Sequence, residues 1–318
     1  MCYSAMVEAD YRSYIRMYGA GISIHEFVKM FSRRGSGKRV AIPKAVDEAF
    51  LKGADYPEIQ AMIREYQAVQ ETELQQELFE QTKRLADAQR ALQTKETKKA
   101  LDSQRIATNK ISRAMAKLAD LHRAESKAND ARMYPGQYVP VMVMEDGKRV
   151  IRPMRYLCRP AGMPEDVDIK YSGAYNARRD NLEGQYWKEL YGFSHGVAVV
   201  NAFFENVATH KAEGRELAQD EKESNTILEF RPRPTQDMLV ACLWSHWVGA
   251  DGEELTSFAF ITDEPPAEVA AAGHDRCIIP IKPENIDRWL QPAGQSLADM
   301  YAILDDRERP YYEHQLAA

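Results

Sequence analysis

The second residue of the chain is a cysteine, Cys2, which directly follows the initiator Met1. Methionine aminopeptidases remove Met1 when the next side chain is small, and removal leaves a free α-amine and a thiol on one residue. The amine can condense with an aldehyde to an imine, and the thiol can then close a five-membered thiazolidine ring. An α-amine titrates near pH ~7.8 and a lysine near ~10.4, so the terminal amine offers roughly a few hundred times more neutral nucleophile at pH 7. Cys2 is therefore a candidate nucleophile for aldehyde capture.

Three motifs farther along the chain carry groups suited to proton transfer and phosphate binding. Asn176 offers an amide donor and acceptor, and Arg178 can fork onto a phosphate. Glu205 ends an apolar run, where partial desolvation would raise its affinity for protons. His274 could shuttle protons near neutral pH, and Arg276 could hold a phosphate. Taken singly, each motif is also common in structural loops and strand ends.

Composition limits what the chain can bind. With 318 residues, 44% hydrophobic and 28% charged, the chain can bury one sizeable core, or a core with an appendage. The net charge of -6 disfavours the coating of nucleic acid through bulk electrostatics, because non-specific affinity comes from Lys and Arg neutralising phosphates. Any DNA contact is therefore expected to be a local patch.

The four cysteines are far apart in the sequence and match no CxxC spacing: Cys2, Cys158, Cys242 and Cys277. In a reducing compartment they should be free thiols, so we predict neither a disulfide scaffold nor a metal site, and no cofactor. The chain has no apolar run of about eighteen residues, and its N-terminal segment lacks the apolar core of a secretory signal. These features predict a cytoplasmic, nucleoid-associated protein that binds no membrane.

Residues 58–130 contain no Gly and no Pro and are rich in helix-forming types. A leucine stripe with a seven-residue repeat runs along this segment: Leu78, Leu85 and Leu92. Gln81 interrupts the stripe, which favours a helical hairpin or short coiled coil over a long zipper. The residues that could pack against it from a returning helix are Ile111, Met115 and Leu118. We interpret this arm as a structural insertion or as a surface for a protein partner.

The remaining sequence, residues 1–57 and 131–318, predicts a single α+β domain with a mixed or antiparallel sheet. From residue 134 onward, short β-like runs alternate with turn residues. Asp146-Gly147 separates two such runs and is a strong hairpin signal. The predicted strands are 139–144, 149–154, 196–204, 238–248, 255–262 and 276–281, followed by a helix over 283–290.

In their order and spacing, the motifs resemble the SOS-response-associated peptidase family, whose members shield abasic sites in single-stranded DNA. The residues that carry the resemblance are Met1-Cys2, Tyr134-Pro135-Gly136-Gln137-Tyr138-Val139-Pro140, Asn176-Ala177-Arg178, Phe203-Phe204-Glu205 and His274-Asp275-Arg276. The resemblance covers residues 1 to about 20 and 131 to about 290 and leaves out the helical arm.

The resemblance implies that Cys2 attacks the open-ring aldehyde of the abasic sugar. Asn176 would orient the terminal amine or the sugar, Glu205 would assist proton transfer, and His274 would act as acid and base at the sugar hydroxyl. The residues that would bind the flanking phosphates are Arg178 and Arg276.

The chain departs from the family pattern at positions that bear on DNA binding. The family has Gly-Arg after the cysteine, where this chain has Tyr3-Ser4, so one phosphate-binding arginine is missing. The acidic residue after the Asn-Ala-Arg motif is Asp180 in place of Glu, and Ala202-Phe203 replaces a Gly-Trp pair. These changes and the arm predict a divergent member of the family.

Two other functions remain open from the sequence. In the first, Cys2 serves a peptidase or amide hydrolase, as the family's name suggests. In the second, the protein is a non-catalytic interaction protein organised by residues 58–130, and Cys2 has no role. A Cys2→Ala change would separate the second from the others, because it would be silent only there.

Overall fold

The computed structural model describes residues 3–37 and 40–317 of the chain. Its helices are α1 (Tyr11–Tyr18), α2 (Ile24–Gly35), α3 (Lys44–Leu51), α4 (Pro57–Thr94), α5 (Lys98–Leu121), α6 (Val167–Lys170), α7 (Thr209–Ala212), α8 (Ala267–Ala271), α9 (Ile286–Leu290) and α10 (Leu297–Asp305). Its strands are β1 (Ser4–Val7), β2 (Gly21–Ile22), β3 (Arg132–Met133), β4 (Tyr138–Glu145), β5 (Lys148–Tyr156), β6 (Asn176–Arg178), β7 (His195–Ala208), β8 (Asn225–Arg233), β9 (Met238–Val248), β10 (Glu254–Asp263), β11 (Cys277–Ile278) and β12 (Tyr311–Leu316).

The strands form a mixed sheet, which confirms the predicted α+β class. Strand β7 pairs antiparallel with β1, β4, β8 and β9, and β10 pairs parallel with β5 and β6. Aliphatic and aromatic side chains from these strands form a large buried cluster, as their near-continuous apolar runs require. Strand β1, the end of β7 and the short strand β6 therefore belong to the same sheet.

The turn between β4 and β5 has the conformation that its sequence demands. Asp146 has φ 48° and Gly147 φ 73°, so both central residues lie in the left-handed region. Asp-Gly tolerates that region better than most pairs and matches the twist of the flanking strands. The predicted hairpin is confirmed, with Tyr138 paired to Arg155 and Glu145 to Lys148.

Helices α4 and α5 form an antiparallel hairpin, joined by ion pairs and hydrogen bonds such as Lys110–Glu77 at 3.4 Å. The fully buried stripe of α5 is made of alanines with a seven-residue repeat: Ala100, Ala107 and Ala114. Met115 is 57% exposed, so its predicted place on the packing face is wrong. Successive residues of an α-helix are turned by roughly 100°, so Met115, which follows the buried Ala114, is directed away from the packing face. Gln81, which interrupts the leucine stripe, is itself buried.

By their internal contacts, the described residues divide into two units. The first comprises residues 3–30, 40–52 and 128–317, and it contains the sheet. The second comprises residues 31–37 and 53–127, and it contains the hairpin. The limits predicted from composition, with an insertion over 58–130, stay a prediction, as does a protein partner for the arm. None of the helices within the described ranges is long and apolar enough to span a bilayer.

His195 anchors the start of β7, the strand that carries Glu205 at its other end. The imidazole stacks between Tyr191 and Trp289, with centroids 5.6 Å and 3.9 Å away. Its Nε2 accepts the Gly192 N–H at 2.8 Å, and its Nδ1 donates to the Trp289 carbonyl at 3.0 Å. Both ring nitrogens of the neutral imidazole therefore have a hydrogen-bond partner. Burial lowers the pKa of His195 from 6.5 to about 3.

Acid is expected to weaken the fold through His195. Below pH 6.5 the unfolded chain protonates this ring, whereas the folded chain resists protonation down to about pH 3, so stability is lost as the pH falls through that window. His195→Phe keeps the ring stack but cannot titrate. Between pH 6 and 4, the free energy of unfolding of the wild type should fall by about 1.4 kcal/mol per pH unit more than that of the variant, measured by urea denaturation. Equal pH slopes for the two proteins would contradict the assignment.

Candidate functional site

Glu205 and His274, predicted as proton carriers, are in direct contact. His274 Nε2 lies 3.1 Å from Glu205 Oε2; Glu205 is fully buried and His274 is 8% exposed. On the other side of the ring, Nδ1 lies 2.8 Å from the Arg276 carbonyl oxygen and 3.3 Å from the Arg276 amide nitrogen. The shorter contact joins Nδ1 to an acceptor, so we assign a proton to Nδ1. A hydrogen bond to Glu205 then requires one further proton, which the carboxylate and Nε2 share.

The environment of His274 favours its neutral form. Burial, the largest cause, lowers the pKa of the imidazole, while the hydrogen bond to Arg276 opposes that shift. A neutral imidazole beside a buried carboxyl can both give and take a proton near pH 7. The pair therefore has the properties of a general acid and base.

Gly273 explains how the chain turns His274 toward Glu205. Its φ is 95°, a conformation that L side chains rarely adopt. A Cβ at this position would lie 2.7 Å from Lys211 Cβ and 2.9 Å from Val207 Cγ1. The glycine thus lets the loop before β11 approach the end of β7.

Asn176 is buried at the start of β6, which pairs parallel with β10. The Tyr156 hydroxyl lies 3.5 Å from Asn176 Oδ1. Along this pairing, Thr262 is the partner of Arg178, so Thr262 shares a face with Asn176 and Arg178. The Thr262 hydroxyl is buried and has no hydrogen-bond partner among the described residues. Thr262 is not among the residues predicted from the sequence; its signal there is a hydroxyl at the end of an apolar strand.

Asp180 joins the two arginines that were predicted to bind phosphates. Arg178 donates to it at 3.0 Å and 2.5 Å, and Arg276 Nη2 lies 3.9 Å away. The hydrogen bonds from Arg178, together with the charge of Arg276, lower the pKa of the Asp180 carboxyl. Two guanidinium groups therefore converge on one exposed carboxylate, which holds them close together.

The start of the described chain enters the sheet beside the proton-carrying pair. Ser4 pairs with Phe204 in the antiparallel register of β1 and β7, and continuing that register places Tyr3 opposite Glu205. The ring of Tyr3 also contacts Tyr175, the residue before Asn176, at 6.1 Å between centroids. Cys2 itself lies outside the described residues.

The other cysteines are poor nucleophiles. Cys158, Cys242 and Cys277 are free and buried. Burial raises the pKa of all three thiols, that of Cys158 to about 12. Within residues 3–37 and 40–317 there is also no group of three or more His, Cys, Asp or Glu side chains arranged to hold a metal ion.

The model of the family described as SOS response associated peptidase (SRAP) matches residues 89–316, more than two thirds of the 318 residues. The chain belongs to the SRAP family. The match begins inside α4 and does not include residues 1–88. Membership of the SRAP family supports a DNA-damage-associated role in abasic-site binding, with peptidase-like or crosslinking activity.

Several solved structures are similar to this SRAP chain. A protein from Bordetella bronchiseptica is 16% identical, with a TM-score of 0.47 over 62% of this chain and 90% of that chain. A protein from Bacteroides thetaiotaomicron is 14% identical, with a TM-score of 0.46 over 59% and 77%. A phage-related protein from Bordetella bronchiseptica is 19% identical, with a TM-score of 0.43 over 58% and 80%. No curated protein matches the chain.

Proposed function

We propose that this SRAP protein captures abasic sites in single-stranded DNA as a thiazolidine on Cys2, after removal of Met1. The observation that carries the proposal is the contact between Glu205 and His274, 3.1 Å apart, where Glu205 directly follows Phe204, the pairing partner of Ser4. A buried pair that shares a proton can speed the proton transfers by which an amine and a thiol capture an aldehyde. No metal or nucleotide cofactor is needed for this chemistry.

The reaction balances as a condensation. The abasic sugar opens to its aldehyde when a proton moves from the C1 hydroxyl to the ring oxygen, a transfer suited to His274 and Glu205. The α-amine of Cys2 adds to the aldehyde carbon, and the resulting hydroxyl leaves as water once it is protonated. The thiol then adds to the imine carbon, forming the C–S bond, and its proton moves to the nitrogen. Asn176 would orient the amine or the sugar during these steps.

The test compares three single-stranded oligonucleotides of one sequence: one with an aldehyde-forming abasic site, one with that site reduced by borohydride, and one with no abasic site. Only the first should give a heat-stable adduct on a denaturing gel. Intact mass spectrometry should show the protein without Met1 and an adduct lighter than the sum of protein and DNA by one water. An adduct with the reduced site, or none with the aldehyde, would overturn the proposal.

The family description favours one second candidate, a Cys2-dependent peptidase. The same pair of proton carriers could serve amide hydrolysis, including release of a residue that precedes Cys2. This candidate predicts turnover of peptide substrates in the absence of DNA. Product that accumulates beyond one equivalent of protein would favour it over capture.

The phosphates that flank the abasic site are proposed to bind Arg178 and Arg276. Asp180 competes with these phosphates for the two arginines. In the free protein Asp180 contacts both arginines, and a phosphate must displace it. Asp180→Asn should therefore strengthen binding of single-stranded DNA roughly two- to five-fold at low salt, the upper part of the range expected for exposed ion pairs. Fluorescence anisotropy measures the affinity. Asp166→Asn, which removes the exposed partner of Lys170, is the control and should have no effect. Weaker binding by Asp180→Asn would show that Asp180 positions the arginines instead of competing for them.

A further inference from the structure

Three tyrosine rings form a continuous, partly exposed surface beside the candidate site. The ring of Tyr3 lies edge-on to Tyr134, 5.9 Å between centroids, and edge-on to Tyr175 at 6.1 Å. Tyr3 is 47% exposed and Tyr134 37%, whereas Tyr175 is half-buried. We call these three rings the tyrosine surface.

The tyrosine surface is held by fixed elements of the fold. Tyr134 opens a turn in which its carbonyl accepts the Gln137 N–H at 3.0 Å and its own N–H donates to Gln137 Oε1 at 2.8 Å. Gly136 supplies the positive φ of 91° that the turn requires. Tyr175 rests on the fully buried ring of Tyr156, 5.6 Å away. Rings that are fixed before binding lose little conformational entropy when a ligand stacks on them.

The location of the tyrosine surface suits the nucleotides next to the reacting sugar. Tyr175 directly precedes Asn176, and Tyr3 directly precedes Ser4, whose partner in β7 is Phe204, the neighbour of Glu205. A strand whose abasic sugar lies at Glu205 and His274 therefore brings its neighbouring bases to these rings. In single-stranded DNA those bases are unpaired and can stack on protein side chains.

The charge behind the tyrosine surface also suits DNA. Arg132 is only 6% exposed; its Nε donates to Ser4 Oγ at 3.0 Å, and its guanidinium lies 3.6 Å from the Phe204 ring centroid and 5.1 Å from that of Tyr134. In the part of the chain that the structure describes, Arg132 takes part in none of the ion pairs within 4.0 Å. A buried cation that no carboxylate neutralises favours an anion nearby, such as a DNA phosphate.

We propose that the tyrosine surface stacks the unpaired bases that flank the abasic nucleotide. The proposal rests on the proposed function for the position of the abasic sugar. It assigns Tyr3, which stands where the family has glycine, to DNA binding. Stacking depends on the flat face of any base, so the protein would hold the strand without reading its sequence.

The experiment measures non-covalent binding, using a tetrahydrofuran nucleotide that mimics an abasic site but forms no aldehyde. In one oligonucleotide the mimic is flanked by natural bases on both sides; in the other, the flanking nucleotides are also tetrahydrofuran. By fluorescence anisotropy, the wild type should bind the first roughly ten-fold more tightly or better. Tyr3→Leu/Tyr134→Leu should bind both oligonucleotides equally, whereas Tyr3→Phe/Tyr134→Phe should keep the preference because it keeps the rings. Tyr311→Leu, a change at a 59% exposed tyrosine on β12, is the control.

Two results would overturn the proposal: equal binding of both oligonucleotides by the wild type, or an unchanged preference in the double leucine variant. If that variant fails to fold, equal binding of the two oligonucleotides by the wild type would still overturn the proposal. Because the mimic cannot form an imine, this measurement is independent of covalent capture. If the protein forms no adduct with a true abasic site, the proposed function is overturned, but the stacking result is unaffected.

Discussion

Cys2→Ala is expected to abolish the heat-stable adduct with abasic single-stranded DNA, a loss of roughly a hundred-fold or more. Alanine is small, so Met1 is still removed and the α-amine is still exposed. The amine can form an imine, but without a thiol the ring cannot close and the imine hydrolyses on heating. Denaturing gels should show no stable adduct, while borohydride added during the reaction should trap the imine.

Two further proteins isolate the contributions of the thiol and the amine. Cys2→Ser should behave like Cys2→Ala, because a hydroxyl does not replace the thiol in a stable ring. A chain extended before Cys2, with the extension verified by intact mass, keeps the thiol but turns the amine into an amide, and it should form neither adduct nor trappable imine. A stable adduct in Cys2→Ala would place the reactive group elsewhere.

Glu205→Gln is expected to slow adduct formation by roughly 10²- to 10⁴-fold, the range typical for loss of a general acid or base. Glutamine has nearly the same shape and can still hydrogen-bond His274, but it cannot accept the proton that the pair shares. The rate should be measured in single-turnover reactions with abasic DNA in excess. The final yield should approach that of the wild type, because the ring on Cys2 remains able to close.

The controls for this prediction separate chemistry from folding. Glu313→Gln removes an exposed carboxylate from β12 and should leave the rate unchanged. The double variant Glu205→Gln/His274→Asn should be about as slow as the slower single variant, since the two groups act on one proton. Multiplied rate losses in the double variant would mean that the two groups act separately.

The local parts of the fold followed from the sequence. Turn chemistry predicted the Asp146-Gly147 hairpin, helix propensity predicted the helices of the arm, and an apolar run predicted the limits of β9. Each of these signals is local, because it depends on residues that are close together in the sequence. The order of the motifs also indicated the SRAP family, and the family match confirms it. Packing within the arm was less predictable, because the buried residues of α5 are alanines, whereas Ile111, Met115 and Leu118 had been predicted to supply its packing face.

The arrangement of the candidate site was decided by tertiary structure. The register of β1 on β7 pairs Ser4 with Phe204, the residue before Glu205, and the turn at Gly273 brings His274 to the Glu205 carboxylate. The shared role of Asp180 has no local signature, and the buried Thr262 has only a weak one, a hydroxyl at the end of an apolar strand. A residue's type determines which chemistry it can perform. Its partners depend on contacts between segments distant in the chain, and only the packed sheet fixes those distances.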